Sequence, residues 1–217
     1  MTAYRVTIVD YRTSNLLSIV KALQRVGAEV ELTQSAEQIE KAEKLVLPGV
    51  GAFGAAMRNI ESLGIRQALI NYGKSAKPLI GICLGMQLLF NVSFEQGIYD
   101  GLGLVSGEVV AFPQVSSDDL PLRDPSDGSV VKVPHMGWNQ VEFQRQSKLL
   151  DGLQNGQYAY FVHSYYVRTN DNCVTGVTDY GVKFPAIIEQ GNIFGIQFHP
   201  EKSQTFGLKI LENFLRV

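Results

Sequence analysis

Hydrophobic positions follow one pattern in the first half of the chain and another in the second. Residues 4–10 (YRVTIVD) are largely β-branched and apolar, as expected of a buried strand. Residues 14–26 then carry Leu16, Leu17, Ile19, Val20, Leu23 and Val26 at helical spacing, with Thr13 or Ser14 as N-cap and Gly27 as stop. The rhythm continues with a strand at 29–33, a helix at 35–43 and a strand at 44–47. After the loop PGVGAF, helical patterns run to Tyr72, and a strand at 78–83 feeds a helix from Gly85. Strand and helix in alternation predict an α/β fold, an open, mostly parallel sheet with helices on both faces.

Past residue 100 the spacing turns to short strands separated by turn residues: 104–112, 130–133, 139–143, 158–166, 174–179, 184–189 and 193–198. An amphipathic helix at 203–215 closes the chain. The sheet is therefore expected to become mixed. Residues 114–129 (QVSSDDLPLRDPSDGS) are polar, acidic and proline-containing, which suits a surface excursion better than a domain linker. With no repeat and no low-complexity tract, residues 1–217 are expected to form one domain.

Composition narrows the partners. At 217 residues the chain is long enough for a well-buried α/β core, and 45% apolar with 18% charged residues is ordinary for a globular protein. A net charge of −2 gives no footprint for nucleic acid or an anionic membrane surface. No apolar run approaches the roughly 18 residues of a membrane span, and the start MTAYRVTIVD lacks a signal-peptide core, so a cytoplasmic protein is expected. Two cysteines make neither a disulfide framework nor a zinc set, and no metal or cofactor is expected. In a reducing compartment a free thiol persists.

One of those cysteines sits in an unusual place. Gly81-Ile82-Cys83-Leu84-Gly85 joins a strand-like run to a helix-like one and has the form of a nucleophile elbow, with a thiol in place of the hydroxyl. The turn strains the nucleophile's backbone, and small neighbours leave it room. The plain alternative is a small core hydrophobe, since free cysteine is often buried. Cys173, in the polar stretch TNDNCVTG, is left unassigned. Of three histidines, His199 ends an apolar strand, at the sheet edge that carries ligands in open α/β folds. Glu201 follows two residues on. In an extended His-Pro-Glu, period two sends both side chains to one side, so Glu201 is placed to orient the imidazole and His199 to meet the thiol. The alternatives are a satisfied strand-end histidine and an acid near the N-terminus of the last helix. Pro48-Gly49-Val50-Gly51, after the strand KLVL, lies at the same edge and supplies a backbone N–H for an oxyanion, with Leu84 N–H as the second donor. No Gly-Lys-Ser/Thr follows it, and Gly101-Leu102-Gly103 lacks the third glycine of a dinucleotide site.

Taken together, P-G-x-G-x-F, G-I-C-x-G-x-Q and Q-F-H-P-E resemble the class I (triad) glutamine amidotransferases, whose fold is flavodoxin-like. The match narrows through SNLLSIVKAL, LPGVGAFGAAM, GICLGMQLLF, VPHMGWN, FVHSYY and GIQFHPEKSQTFGLKILENF. These blocks are similar to the family of glutaminase subunits of imidazole glycerol phosphate synthase, with VPHMGWN (133–139) the most diagnostic. The resemblance implies hydrolysis of glutamine to glutamate and ammonia by Cys83, His199 and Glu201. It implies Val50, Gly51 and Leu84 at the oxyanion, and Gly51, Gln87, Glu95, Tyr160, Ser164 and Tyr165 around the substrate. It implies a heterodimer with a (β/α)₈ cyclase that takes the ammonia into histidine biosynthesis. Pro134, His135, Met136, Trp138 and Asn139 are then the candidate docking surface, in keeping with the enrichment of Met and Trp in interface cores. The alternative for Trp138 is an anchor in the domain core. That family begins D-Y-G-x-G-N-L, whereas Arg12 and Ser14 stand here for the glycines, so a different loop backbone is expected. A thiol peptidase would need neither Gln87 nor VPHMGWN. A catalytically silent binding module would have lost part of the Cys-His-Glu set. An amidotransferase paralogue serving another synthase is the nearest rival.

Overall fold

The computed structural model describes residues 4–12, 16–115, 120–169 and 171–217. In chain order it contains β1 (Tyr4–Val9), α1 (Leu16–Arg25), β2 (Ala28–Thr33), α2 (Ala36–Lys41), β3 (Leu45–Leu47), α3 (Phe53–Ser62), α4 (Arg66–Lys74), β4 (Leu79–Ile82) and α5 (Leu84–Leu88). There follow β5 (Val92–Ser93), β6 (Tyr99–Asp100), β7 (Glu108–Ala111), β8 (His135–Phe143), β9 (Gln157–His163), β10 (Tyr165–Arg168), β11 (Val174–Asp179), β12 (Lys183–Gln190), β13 (Ile193–Ile196) and α6 (Gln204–Leu215).

A nine-stranded sheet carries the order β2-β1-β3-β4-β13-β12-β11-β8-β9. Its first five strands are parallel, in the flavodoxin-like order, and β12, β11, β8 and β9 continue it antiparallel. Period two divides the core between the faces. Leu45 and Leu47 pack on one side with Ile39 of α2, Ile60 of α3 and Leu69 of α4, whereas Val46 faces Leu23 of α1 and Ile210 of α6. Helices thus cover both faces, as expected. A second sheet, β10-β7-β5-β6, stands beside the first. No helix among the described residues is long and apolar enough to cross a membrane.

Several boundaries differ from the pattern in the sequence. The run 158–166 is two strands broken at Ser164, because β9 pairs with β8 in the large sheet and β10 with β7 in the small one. β8 starts at His135, four residues before the expected 139. The expected strand at 104–112 shrinks to Glu108–Ala111. No strand forms at 130–133, where Val130 makes only an isolated bridge to Arg123 and Val131 N donates to Leu122 O. Pro134 follows there and has no N–H to extend a ladder.

The Thr13/Ser14 cap and the Ser14 departure lie outside the described residues. Arg12 is described, and its φ of 64° lies in the left-handed region that glycine favours. At this position arginine takes a backbone that glycine adopts more readily. The Arg12 N–H donates to Asp10 Oδ1 at 3.0 Å.

Candidate functional site

Cys83 follows β4 directly and takes φ 54° and ψ −112°, a conformation that residues with a side chain rarely adopt. The surroundings enforce it. Cys83 N still donates to Ile196 O of β13 at 2.8 Å, while its carbonyl accepts from Gln87 N at 3.2 Å and starts α5. A Cβ on Gly85 would overlap the Leu47 carbonyl, and one on Gly81 would collide with the Gly85 backbone. The two glycines of the pentapeptide are therefore needed for close approach.

β13 runs parallel to β4, so its continuation delivers Gln197 and His199 to the same edge. His199 is held by its own backbone: its N–H donates to Tyr160 O at 2.9 Å, and Ser203 Oγ donates to its carbonyl at 2.7 Å. Its Nδ1 lies 2.9 Å from Glu201 Oε1, with the two side chains only 4% and 6% exposed. A carboxylate accepts, so Nδ1 carries the proton and Nε2 is the nitrogen left for the thiol. Nε2 is buried without a hydrogen bond of ordinary geometry. Burial pushes the imidazole pKa down, but the Cys83 sulfur and the Glu201 carboxylate more than offset this, and the net shift is upward.

A cavity of about 410 Å³ opens over this pair. Val50, Gly51, Leu84, Gln87, Glu95, Ser164 and Tyr165 line it together with Cys83 and His199. Glu95 is fixed there by the Phe53 N–H, which donates to its Oε2 at 2.7 Å. Tyr160 is a correction. It is not among the lining residues; its side chain meets Trp138, at 6.0 Å between ring centroids, and Lys202 Nζ at 5.3 Å. Its contribution to the site is the backbone carbonyl that anchors His199.

The docking candidates also divide. On β8 the side chains alternate, so Met136 and Trp138 face outward, 62% and 47% exposed, and Pro134 just before the strand is exposed as well. Trp138 is therefore no core anchor. His135 is buried and Asn139 half-buried on the opposite face, so these two are withdrawn from the outer surface. Four residues escaped the sequence reading. His163 and Val162 line the cavity, and Gln197, fully buried, points its Nε2 at Cys83 Sγ, 3.7 Å away. A polar residue inside the apolar run Ile-Gln-Phe was the available signal. Tyr11 was also missed: its buried hydroxyl donates to Pro48 O and holds the glycine loop, while burial and the Cys83 charge raise its pKa. Cys173 packs into the core beside the large sheet, away from the cavity. A larger, shallower hollow of about 830 Å³, bordered by Arg145, Ser147, Lys148 and Glu189, has neither cysteine nor histidine in its lining. Among the described residues no group of three His, Cys, Asp or Glu side chains is arranged to hold a metal ion.

An elbow thiol, an imidazole backed by a carboxylate and a glycine-bearing loop share one edge of an α/β sheet, the layout of a thiol acyl-transfer site. The family pattern described as glutamine amidotransferase class-I matches residues 7–217, and the chain belongs to that family. Among its relatives, the imidazole glycerol phosphate synthase subunit HisH of Archaeoglobus fulgidus is 46% identical over 212 residues, covering 98% of both chains. The HisH subunit of Aquifex aeolicus is 46% identical over 98% of this chain and 96% of its own. Subunit HisH 1 of Campylobacter jejuni strain RM1221 is 44% identical over 98% and 100%. Among solved structures, PurLQS from Thermotoga maritima superposes with a TM-score of 0.69 at 20% identity, over 99% of each chain. A glutamine amidotransferase crystal structure gives 0.70 at 18%, over 98% and 99%. These two likenesses concern the fold.

Proposed function

We propose that this chain is the glutaminase subunit of an imidazole glycerol phosphate synthase. It hydrolyses glutamine to glutamate and ammonia, and a (β/α)₈ cyclase bound to it as a heterodimer uses the ammonia to form imidazole glycerol phosphate and aminoimidazole carboxamide ribotide in histidine biosynthesis. The observation that carries this reading is the buried Glu201–His199 pair beside a strained Cys83, in a chain whose relatives are such subunits. A cytoplasmic setting belongs to the same reading, since the reducing compartment keeps the thiol active.

In this mechanism the Cys83 thiolate attacks the side-chain carboxamide carbon of glutamine. The resulting oxyanion is met by Leu84 N–H and by an N–H of Val50 or Gly51. His199 gives its proton to the departing nitrogen, ammonia leaves, and a thioester remains. His199 then takes a proton from water, hydroxide adds to the thioester carbon, and glutamate leaves as the thiolate re-forms. Glu201 keeps the imidazole turned with Nε2 toward the sulfur. Gln87, Glu95, Ser164 and Tyr165 line the part of the cavity left for the amino-acid end of the substrate. Turnover measured as glutamate release from glutamine tests the reading. Glu201→Gln should retain on the order of 10²-fold more activity than His199→Ala, because an orienting group is less costly to lose than the base. Equal losses would mean that Glu201 does more than orient.

The outer face of β8 and β9 supports the docking site. Trp138 stands opposite Tyr160 and Met136 opposite Val162, which gives an apolar strip. Pro134 and Val162 belong to this strip and also line the cavity, so a partner seated there meets the site directly. Ammonia passed across a sealed contact stays unprotonated, and only the neutral form is a nucleophile. Trp138→Ala should weaken cyclase binding by roughly 30-fold, a hot-spot loss of about 2 kcal/mol. The melting temperature of the isolated subunit should change little, since the ring is half exposed. Titration calorimetry beside a thermal melt checks both; a large drop in melting temperature with unchanged affinity would return Trp138 to the fold.

A further inference from the structure

We propose that Gln197 is a positioning residue for the Cys83 sulfur, and that the buried pair His135–His163 holds it there by fixing the Tyr165 carbonyl, the acceptor on which the hydrogen bonds of His163 and of Gln87 converge. The inference rests on the assignment of Cys83 as nucleophile in the preceding reading.

Every link in the chain has a forced direction, and the Tyr165 carbonyl forces it. That oxygen only accepts, and it has two close partners: His163 Nδ1 at 2.8 Å and Gln87 Nε2 at 2.9 Å. On one side Gln87 must therefore present its NH₂ group. The second N–H of that group lies 3.0 Å from Gln197 Oε1, which accepts it. The opposite end of the Gln197 amide is then Nε2, a donor, and it is the atom that reaches Cys83 Sγ at 3.7 Å. On the other side His163 must carry its proton on Nδ1, so its Nε2 accepts. His135 Nδ1, at 3.1 Å, is the donor to it. His135 Nε2 is left as an acceptor and faces Asn139 Nδ2 at 3.3 Å, whose other N–H donates to Asp179 O at 2.9 Å. Asn139 cannot turn over, because its Oδ1 accepts from Gln140 N at 2.7 Å. Donors and acceptors thus match without exception from β8 to the nucleophile.

The chain is shielded from water. Gln197, Gln87, His135 and His163 are all buried. His135 stacks between Phe161, at 4.9 Å, and Tyr180, at 4.0 Å. Burial pushes His135 down to about 4, and burial followed by the neighbouring imidazole pushes His163 down to about 3. Both stay neutral at working pH, and a second proton on either ring would set donor against donor. A neutral amide N–H aimed at the sulfur favours thiolate over thiol and exchanges no proton with His199. The titratable groups that face Cys83 are His199, backed by Glu201 after β13, and Tyr11 after β1, with Glu95 on the wall of the same cavity. None of them is altered in the experiment below.

The test is the pH profile of iodoacetamide alkylation at Cys83 in the full chain, with the adduct located by peptide mass spectrometry to separate it from Cys173. Gln197→Leu should move the midpoint up by about one pH unit, the size expected for a lost hydrogen bond to a charged group. His163→Phe should move it up by about half as much. His163→Asn, which restores an amide donor at the Nδ1 position, should return the wild-type midpoint. In the double variant the shift should not exceed that of Gln197→Leu alone, because both changes act on one chain. If His163→Phe does not fold, His163→Gln replaces it, since its amide sits at the Nε2 position and misses the Tyr165 carbonyl. An unchanged midpoint in Gln197→Leu, or additive shifts in the double variant, would overturn the proposal. The measurement uses neither glutamine nor cyclase. If the variants show these shifts while the wild-type chain, assembled with cyclase and its nucleotide ligand, releases no glutamate from glutamine, the functional reading is overturned and this one stands.

Discussion

Replacing Cys83 by alanine is expected to lower glutamine hydrolysis by roughly 10⁴-fold or more, while synthesis from free ammonia by the assembled pair continues. Both halves follow from where Cys83 sits. It is buried at the floor of the cavity, its backbone is held by Ile196 O and Gln87 N, and its sulfur is what His199 and Gln197 face. Alanine keeps those backbone bonds and removes only the sulfur, so the fold and the outer face of β8 and β9 remain in place. The cyclase would then still bind and still take ammonia from solution, although no thioester could form. The measurement is glutamate release, run beside imidazole glycerol phosphate formation with either glutamine or an ammonium salt as nitrogen source. Hydrolysis of glutamine at the wild-type rate would remove Cys83 from the mechanism. Loss of the ammonia-driven reaction as well would show that the variant disturbs docking.

How far the sequence reveals this site depends on whether a residue's role is local. The elbow is local: a thiol between two glycines at a strand-to-helix change implies a strained turn, and the Gly85 contact with Leu47 supplies the reason. His-Pro-Glu is local as well, since two residues of extended chain put both side chains on one side. Roles that depend on which strands pair were not legible. The run YFVHSYYVR is rich in β-branched and aromatic residues on both sides of His163 and Ser164, and a single serine does not announce that the chain leaves one sheet for the other there. The resemblance puts Tyr160 at the cavity and Trp138 on the outer surface, yet the register sets them directly opposite and so on one face. Had 133–139 been read as a strand, period two alone would have separated His135 and Asn139 from Met136 and Trp138. Tyr11 reaches Pro48 only because β1 and β3 are neighbours.

Glutamine turnover by the isolated subunit is expected to lie on the order of 10²–10³-fold below that of the complex, the range set by one oxyanion donor. The loop after β3 is built in two parts that explain why such a donor can be missing. Its first part is fixed: Tyr11 donates to the Pro48 carbonyl, and a Cβ on Gly49 would overlap the Tyr11 hydroxyl and crowd Gly85 N and Leu84 Cβ at 2.9 Å. Its second part is not. Gly51 stands at φ 99° with no atom within 4 Å of where a Cβ would be, and Val50 and Gly51 border the cavity beside Leu84. A rotation of the Val50–Gly51 peptide therefore swings one N–H toward or away from the reacting oxygen while Pro48 and Gly49 stay still. The outer strip reaches the same cavity through Pro134 and Val162, so in the proposed docking a cyclase on Met136 and Trp138 would close the mouth that this peptide faces. Turnover is to be measured for the subunit alone, with cyclase, and with cyclase plus its nucleotide ligand. A stepwise gain is expected, carried mainly by the rate at saturating glutamine, because a donor to the oxyanion acts in the transition state and not on bound substrate. A subunit fully active alone and indifferent to both additions would rule out the gate.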